Sequence, residues 1–250
     1  MITSRFRAAG IHLAISALIA GGVLVAMLFF FYPSPYFGAV GGKDLLMMLI
    51  GIDIILGPLI TLIIFNVKKK NLKWDLAVIG AVQLAALVYG AYTMFEARPV
   101  YTVFAKDKFV VLTANDIDAK LLGKVTRSEF KNVPLMGPAM VVAKPPDNEK
   151  EQQDLVFIQA MGVGIQYMPK YYVPYKEGVS LVLEQAKPLS QLKKQNLKSY
   201  EAVAQIGRSF GKEEGDVVFL PVNARKQVMT ALLDYKTGEL LKIEAVSPWR

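Results

Sequence analysis

Three polar side chains interrupt long apolar stretches in the first part of this 250-residue chain. They are His12, Asp53 and Gln83. Polar and ionisable groups inside apolar stretches of this length are expensive, and they usually mark either a buried pairing or a function. The types present could form a hydrogen-bonded cluster within one bundle, or relay a proton or an ion. Both interpretations stay open from these residues alone.

The polar residues lie in three apolar runs, Ala8–Tyr32, Leu45–Phe65 and Asp75–Phe95. Each run has roughly 20 residues or slightly more, which at a helical rise of about 1.5 Å per residue crosses a hydrocarbon layer of ~30 Å. The spacing therefore predicts a membrane protein with three transmembrane α-helices, in a domain of residues 1–97. The apolar run of the first helix is too long for a secretory signal peptide, so we expect it to be retained.

The distribution of Lys and Arg beside the runs predicts the orientation. Arg5 and Arg7 precede the first run, four lysines lie in the connector Asn66–Trp74, and the other connector contributes Lys43 alone. Because cytoplasmic loops carry the excess of basic residues, we expect the N-terminus and the second connector in the cytoplasm. In a bacterium, the part after residue 97 would then lie in the periplasm, and the whole chain would be a multi-pass inner-membrane protein.

The second run has the least lipid-like composition. Gly57 and Pro58 follow Asp53 by one turn, and a proline at this position removes a helical hydrogen bond and tends to bend the helix. Counted from the predicted cytoplasmic ends, His12 lies about 6 Å deep, Gln83 about 12 Å and Asp53 about 18 Å. Asp53 and Gln83 could therefore meet between helices. The stretch around Gly57 and Pro58 could be a kinked groove for another helix, or simply a kink.

Small residues and aromatic residues follow two further patterns in this region. Small residues at fourfold spacing allow helix backbones to approach closely, either within the bundle or against a partner helix. The pairs are Ser16 and Ala20, Ala17 and Gly21, Gly22 and Ala26, Ala77 and Ala81, and Ala86 and Gly90. Aromatic residues near the ends of the runs are typical of interfacial anchors, and these are Tyr32, Tyr36, Trp74, Tyr89 and Tyr92.

Residues 98–250 predict an α+β domain with an antiparallel sheet, because alternating strand patterns are interleaved with capped helical stretches. Strands are predicted at Tyr101–Phe104, Lys108–Leu112, Ala139–Ala143, Val217–Val222, Gln227–Asp234 and Glu239–Ala245, with a hairpin turn at Tyr235–Gly238. Helices are predicted at Asp116–Val125, from an Asp147 cap through Gln159, from Leu189 or Ser190 onward, and at Ser199–Phe210.

This domain lacks the sequence signatures of common catalytic sites. There is no Gly-x-Ser-x-Gly elbow, no phosphate-binding loop and no cysteine, and the one histidine of the chain is His12. The acidic groups around Asp116 and Asp118, and around Glu213, are flanked by residues typical of loops and helix caps. We therefore expect no enzyme, no cofactor and no metal. The interleaved charges of this region also argue against nucleic-acid binding, despite a net charge of +8.

Three segments of the chain together resemble the type IV pilin accessory proteins (the TfpX/TfpZ group). The first has Ser4-Arg5-Phe6, Ile11-His12-Leu13 and Ser16-Ala17, and the second has Gly51-Ile52-Asp53 and Leu56-Gly57-Pro58-Leu59-Ile60-Thr61. The third has Asp75-Leu76-Ala77-Val78-Ile79, Gln83-Leu84, Tyr89-Gly90 and Ala97-Arg98-Pro99-Val100-Tyr101. The resemblance covers mainly the first 110 residues, and the remainder matches in length and layout.

The resemblance implies a non-catalytic, chaperone-like inner-membrane factor that binds its cognate type IV major pilin and promotes pilus biogenesis. Its partners would be that pilin, the pilus assembly machinery of the inner membrane and the lipid bilayer. The candidate contacts to the pilin helix are His12, Ser16, Asp53, Gly57, Pro58 and Gln83, and the candidate junction between membrane and periplasm is Arg98, Pro99 and Tyr101. His12 would lie at about the depth of a glutamate that pilins generally carry in their helix.

Two other classes of function stay open. A small transport or ion-relay protein would use Asp53, His12 and Gln83, with several chains lining one pathway. A membrane-tethered enzyme acting on envelope substrates would use carboxylates such as Asp116 and Asp118. A sensor is disfavoured, because the predicted cytoplasmic parts are too short for an output domain.

Overall fold

The structure is a computed structural model that describes residues 2–66 and 68–249, apart from the side chains of Ile2 and Asp53. Three of its helices are long and apolar enough to cross a membrane. We name them the first apolar helix (Ile2–Phe30), the second (Gly42–Ile64) and the third (Leu72–Glu96). The first apolar helix begins before the apolar run at Ala8, so it includes the basic N-terminal residues.

The second apolar helix changes its winding in the middle. Residues Gly51–Leu56 form a π-helical turn between the α-helical parts Gly42–Ile50 and Gly57–Ile64. Pro58 lies just after this turn and has no amide hydrogen, so it cannot form the usual bond to the preceding turn. π-Helical turns within α-helices are rare and frequently accompany functional sites.

Contacts group the chain into two compact units. One comprises Met1–Pro33 and Gly41–Ala97, and the other comprises Ser34–Val40 and Arg98–Arg250. The short first connector therefore contributes a helical turn, Tyr36–Ala39, to the unit that contains the sheet. The Tyr36 hydroxyl lies 3.1 Å from that of Thr102, and the amide of Lys226 donates to the Ala39 carbonyl at 2.9 Å.

This placement corrects the interpretation of two aromatic residues. Tyr36 is 7% exposed and packed within the sheet unit, so it is not an interfacial anchor. Tyr32 is also buried, and its hydroxyl donates to the carbonyl of Met94. Trp74, Tyr89 and Tyr92, the other predicted anchors, are exposed. Both buried tyrosines use their hydroxyls within the protein, because a buried phenol needs a hydrogen-bond partner.

The sheet has eight strands and is mixed, so the predicted antiparallel sheet is confirmed only in part. Its strands are β1 (Pro99–Ala105), β2 (Lys108–Thr113), β3 (Ala139–Ala143), β4 (Tyr172–Pro174), β5 (Lys187–Pro188), β6 (Val217–Asn223), β7 (Val228–Asp234) and β8 (Leu240–Glu244). Their order is β4-β3-β1-β2-β6-β7-β8, with β5 beside β6. The pairs β1–β3 and β2–β6 are parallel, and the others are antiparallel.

The helices of this unit agree only partly with their prediction. The longer ones are Glu149–Ala160, Tyr175–Gln185, Leu189–Gln195 and Leu197–Ser209. Asn148, rather than Asp147, caps the first of these, because its side chain accepts from the amide of Lys150 at 2.9 Å. The helix predicted at Asp116–Val125 is reduced to Ala119–Leu122 after a 3₁₀ turn. The helix Tyr175–Gln185 was not predicted.

Two clusters of buried apolar side chains stabilise the sheet unit. One surrounds Tyr101, whose ring packs edge-on against that of Tyr172 with centroids 5.3 Å apart. The other surrounds Phe219 and Leu232 and includes the helices that follow β5. Because all members of both clusters belong to residues 98–250, this unit has an apolar core of its own.

Candidate functional site

The candidate site lies between the first and third apolar helices. These helices are joined near one end, where the Tyr32 hydroxyl donates to the Met94 carbonyl and the rings of Phe31 and Phe95 meet edge-on at 5.3 Å. Away from this junction they leave an open groove with a cavity of about 150 Å³. We call it the 1–3 groove, and it is lined by His12, Ile15, Ser16, Ile19, Ala20, Gly80, Gln83, Leu84 and Leu87.

The lining residues follow helical spacing on both walls. On the first apolar helix they recur at intervals of three and four from His12 to Ala20, and on the third they do so from Gly80 to Leu87. Residues at these intervals lie on one face of a helix. The groove is therefore a continuous strip of about two helical turns along both helices.

His12 is fixed at one end of this groove. Its Nδ1 lies 2.6 Å from Oγ1 of Thr61 on the second apolar helix, and the two atoms share a hydrogen bond. Thr61 is buried, whereas His12 is half-buried and also lines a second open groove with Thr61 and Phe65. Thr61 lies four residues before Phe65, where the second apolar run ends. Its distance from that end is about 6 Å along the helix, the same as the distance of His12 from the start of the first run.

Gln83 connects the groove to the second apolar helix. A Cβ atom added to Gly57 would overlap its side-chain amide, so the glycine allows these two helices to approach closely. Gly57 is buried behind Gln83, and Pro58 is half-buried outside the lining of the 1–3 groove. The side chain of Asp53 lies outside the described residues, so its predicted meeting with Gln83 stays a prediction.

The structure thus brings His12, Ser16 and Gln83 together in one groove. Sequence reasoning missed Gly80 and Leu84 as lining residues, and it missed Thr61 as the partner of His12. The spacing of three residues between Gly80 and Gln83 was a signal that Gly80 lies on the same helix face as Gln83. No comparable signal exists for Thr61, because the contact joins residues 49 positions apart.

Small residues on the apolar helices fall into two classes. Gly57 and Gly90 are covered by side chains of neighbouring helices, Gln83 and Leu49 respectively. By contrast, no atom of the described chain lies within 4 Å of a Cβ built on any of five other glycines, which are Gly10, Gly21, Gly22, Gly51 and Gly80. Of these, Gly80 lies in the 1–3 groove.

Known proteins similar to this chain are fimbrial assembly proteins of Dichelobacter nodosus. The protein named "Fimbrial assembly protein, serogroup I" is 31% identical over 231 residues, which are 90% of this chain and 89% of the relative. The serogroup E1 protein gives the same identity and coverage. This chain belongs to the family of fimbrial assembly proteins.

Two further comparisons agree with this assignment. Residues 1–41 match the family described as "Fimbrial assembly protein FimB". The relative of serogroups C1 and C2 is 37% identical over 110 residues, which are 43% of this chain and 84% of that protein. The resemblance to type IV pilin accessory proteins is therefore confirmed. No solved structure matches the chain significantly.

In this fimbrial assembly family member, the predicted junction residues begin the sheet unit. Arg98 is buried and donates to the backbone carbonyls of Leu135 and Pro134, each at 3.2 Å. Pro99 is the first residue of β1. Tyr101 is fully buried, and burial raises the pKa of its phenol to about 12. Its hydroxyl donates to the Asn132 carbonyl at 3.4 Å.

The acidic residues of the sheet unit cap local structure, as predicted. Asp116 Oδ2 accepts from the Thr113 amide at 2.8 Å, and its Oδ1 pairs with Arg225 at 2.9 Å. Asp118 accepts from the Lys120 amide at 2.8 Å, and Asp216 from the Glu213 amide at 3.3 Å. Within residues 2–66 and 68–249, no group of three or more His, Cys, Asp or Glu side chains could hold a metal ion.

Proposed function

We propose that this protein is a non-catalytic, chaperone-like membrane factor that binds the apolar helix of its cognate type IV major pilin and promotes assembly of the pilus. The observation that supports this most is the 1–3 groove. It is an open, mainly apolar strip of about two helical turns between two helices of a fimbrial assembly family member. The relatives are named for fimbrial assembly, which is consistent with a partner that is a component of the pilus.

In this proposal the three apolar helices span the bacterial inner membrane. Residues 1–97 form the membrane domain and residues 98–250 the periplasmic domain, with the N-terminus in the cytoplasm. The basic residues beside the helices favour this orientation. The connector Ser34–Val40 independently supports the three-span arrangement, though not its direction, because it packs in one compact unit with residues 98–250. Two segments that share a unit must lie on the same side of the bilayer.

The composition of the groove suits a helix better than a polar ligand. Apolar side chains and small residues make up most of its walls, and polar groups are confined to His12, Ser16 and Gln83. In lipid, helices associate through close packing at small residues and through a few interhelical hydrogen bonds. Gly80, which has open space at its Cβ position, offers such a point of close approach on the third apolar helix.

His12 has a specific role in this proposal. Thr61 occupies Nδ1 of the ring, so Nε2 is the atom through which His12 would reach a carboxyl group of the pilin helix. Thr61 is the supporting residue in this arrangement, because its bond fixes the imidazole ring of His12 at the edge of the groove. A glutamate that is costly in lipid would thereby gain a partner before the pilin enters the pilus.

The periplasmic domain would add a second contact to the same pilin. A pilin has an apolar helix and a globular head, and a partner that engages both raises the effective concentration of each contact. Weak binding at each surface is then sufficient, and it leaves the pilin free to move on to the assembly machinery of the inner membrane.

Photo-crosslinking in cells tests the groove with a matched pair of positions. Leu84 and Val82 are 62% and 63% exposed on the same helix, but only Leu84 lines the 1–3 groove. We expect a crosslinking amino acid at Leu84 to form adducts with pilin, and one at Val82 to give few. Ile19, in the groove, and Leu13, outside it, are 47% and 42% exposed and form a second such pair on the first apolar helix.

The yield at the two positions of each pair decides the proposal. Equal yields at Leu84 and Val82 would show that pilin does not select this groove. Adducts with a protein other than pilin, or none above background in well-expressed variants, would reject pilin binding by these helices. Mass spectrometry of the adducts identifies the partner in each case.

A further inference from the structure

The loop of residues 133–137 exposes two large apolar side chains on the sheet unit. Leu135 is 63% exposed and Met136 is 60% exposed, whereas the buried residues of the two apolar clusters described above are at most 8% exposed. Contiguous exposed apolar surface is one sign of a contact with a protein or a membrane, but two residues need a second observation to say which. The position of this loop in the chain indicates which partner it contacts.

The loop is fixed beside the point where the chain leaves the third apolar helix. That helix ends at Glu96, and Arg98, two residues later, donates Nε to the Leu135 carbonyl and Nη2 to the Pro134 carbonyl. Tyr101 donates to the carbonyl of Asn132, just before the loop. The backbone that carries Leu135 is therefore bonded to a residue that follows the helix by two positions in the chain.

The rest of the loop is packed closely against the first strand. A Cβ atom added to Gly137 would lie 3.1 Å from the Val100 carbonyl oxygen, so the backbone of the loop approaches β1 at this position. With its backbone fixed on this side, the loop presents Leu135 and Met136 to its surroundings rather than to the core. Lys131, also exposed, precedes Leu135 by four positions.

We propose that Leu135 and Met136 insert into the interfacial layer of the membrane and anchor the sheet unit to the lipid surface. This inference rests on the membrane placement of the apolar helices in the proposed function. Segments that bind at membrane interfaces combine apolar side chains, which enter the boundary by roughly 5–10 Å, with basic residues at headgroup level. Leu135, Met136 and Lys131 provide this combination next to the end of a predicted transmembrane helix.

A second exposed apolar patch provides a control on the same unit. Val156, Phe157 and Met161 are as exposed as Leu135, but they lie on and after the helix Glu149–Ala160. The amide of Met161 donates to the carbonyls of Phe157 and Ile158, so this patch is held by its own helix. The patch therefore tests whether lipid contact follows from exposed apolar surface in general or from the position of the loop.

The absence of cysteine from the chain allows a direct test with the full-length protein. The variants Leu135→Cys and Met136→Cys carry an environment-sensitive fluorophore and are reconstituted in lipid nanodiscs. Quenching by nitroxide lipids labelled just below the headgroup is compared with quenching by aqueous iodide. We expect blue-shifted emission, strong quenching by the lipid nitroxide and weak quenching by iodide at both positions. Phe157→Cys should show the opposite pattern.

The outcomes separate this inference from the proposed function. A label at Val82→Cys, on the third apolar helix, reports whether the helices lie in lipid at all. If Val82 is quenched from the lipid while both loop labels behave like Phe157, the anchor is rejected and the membrane placement stands. If Val82 is accessible to iodide, the membrane placement itself fails. Protection of the loop labels only after addition of pilin would assign the loop to a protein partner and overturn the lipid contact.

Discussion

Two leucines illustrate the difference between the units of this protein. Leu18 on the first apolar helix is 79% exposed, whereas Leu232 on β7 is 1% exposed and belongs to an apolar cluster. The sheet unit thus obtains its stability in water from burial of apolar area. The apolar helices bury little of theirs within the chain, so the remainder must be covered by lipid or by a partner. A residue type alone therefore does not determine what a substitution changes, since the same leucine has a different environment in each unit.

The largest expected effect of this difference concerns those two leucines. Leu232→Ala should lower the free energy of unfolding of the sheet unit by about 2–5 kcal/mol, the usual cost of truncating a buried leucine. Leu18→Ala should leave the free energy of unfolding of the helical unit within about 0.5 kcal/mol of the parent, as surface substitutions generally do. Urea unfolding followed by Trp249 fluorescence, in detergent and in a Trp74→Phe background, measures the first effect, and unfolding by sodium dodecyl sulfate in mixed micelles measures the second. A large loss from Leu18→Ala would mean that this face packs within the protein.

The strands of the sheet unit were the most predictable part of the fold. The pattern of apolar and β-branched runs bounded by turn residues predicted β1, β2, β3, β6, β7 and β8, although β1, β6 and β7 are buried on both faces. It could not predict that β1–β3 and β2–β6 are parallel, since strand direction depends on connections rather than on alternation. The helix Tyr175–Gln185 lacks a side-chain cap and contains Gly178, so its start and its interior both lacked helical signals.

Two glycines of the apolar helices provide the next comparison. Gly57 is covered by Gln83, whereas Gly80 has open space at its Cβ position and lines the 1–3 groove. We expect Gly57→Leu to destabilise the helical unit by about 1–3 kcal/mol through overpacking. Gly80→Leu should retain its stability but lower pilin crosslinking at Leu84, because the new side chain occupies the groove.

Unfolding by sodium dodecyl sulfate in mixed micelles measures the first effect, and adduct yield measures the second. If Gly80→Leu also destabilises the unit, Gly80 packs within the protein and the groove is closed. If Gly80→Leu leaves both stability and crosslinking unchanged, the partner helix lies elsewhere. Expression and membrane insertion of both variants are compared first, so that loss of protein is not mistaken for loss of binding.

The candidate site was predicted in part. His12, Ser16 and Gln83 were singled out because polar or small residues are unusual in apolar runs, and the structure places all three in one groove. The groove itself was expected around Gly57 and Pro58, since a proline kink is visible in sequence. Which helices separate depends instead on contacts between distant residues, such as Tyr32 with Met94, and no local pattern encodes them.

A buried carboxylate distinguishes the sheet unit in its response to pH. Asp234 lies 2.6 Å from the Lys212 ammonium and accepts from the amides of Lys236 and Thr237. The Lys212 charge and these bonds hold the pKa of Asp234 well below its usual range. Because the folded state has the lower pKa, the stabilisation is complete above the unfolded value, near about 4, and it is lost as the pH falls further.

Replacement of this carboxylate should therefore have a moderate, pH-dependent effect. Asp234→Asn is expected to lower the free energy of unfolding at pH 7 by about 1–2 kcal/mol, the scale of a charged hydrogen bond to a partly exposed partner. The difference from the parent should shrink as the pH is lowered from 5 to about 3. Glu244→Gln, at a more exposed pair with Lys242, is the control and should change little. A pH-independent difference would show that Asp234 acts through packing rather than through its charge.

The smallest expected effect concerns the polar contact of the apolar helices. Thr61 is as buried as Asp234, but its bond to His12 joins two helices whose environment in our proposal is lipid. Interhelical hydrogen bonds in membrane proteins contribute about 0.6 kcal/mol on average, because the separated helices find other partners for the same groups. Thr61→Val should therefore lower the stability of the helical unit only slightly, as measured by unfolding in mixed micelles.

The comparison of Thr61→Val with His12→Phe then separates a structural histidine from a binding one. If the imidazole serves only the bond to Thr61, both variants should lose the same small stability and keep the adduct yield at Leu84. If it binds a pilin carboxyl, His12→Phe should lose pilin adducts as well, whereas Thr61→Val should keep most of them because the ring is still present. Equal adduct yields in the parent and in His12→Phe would therefore remove His12 from the binding surface. In that case its bond to Thr61 would be a structural contact of the helical unit.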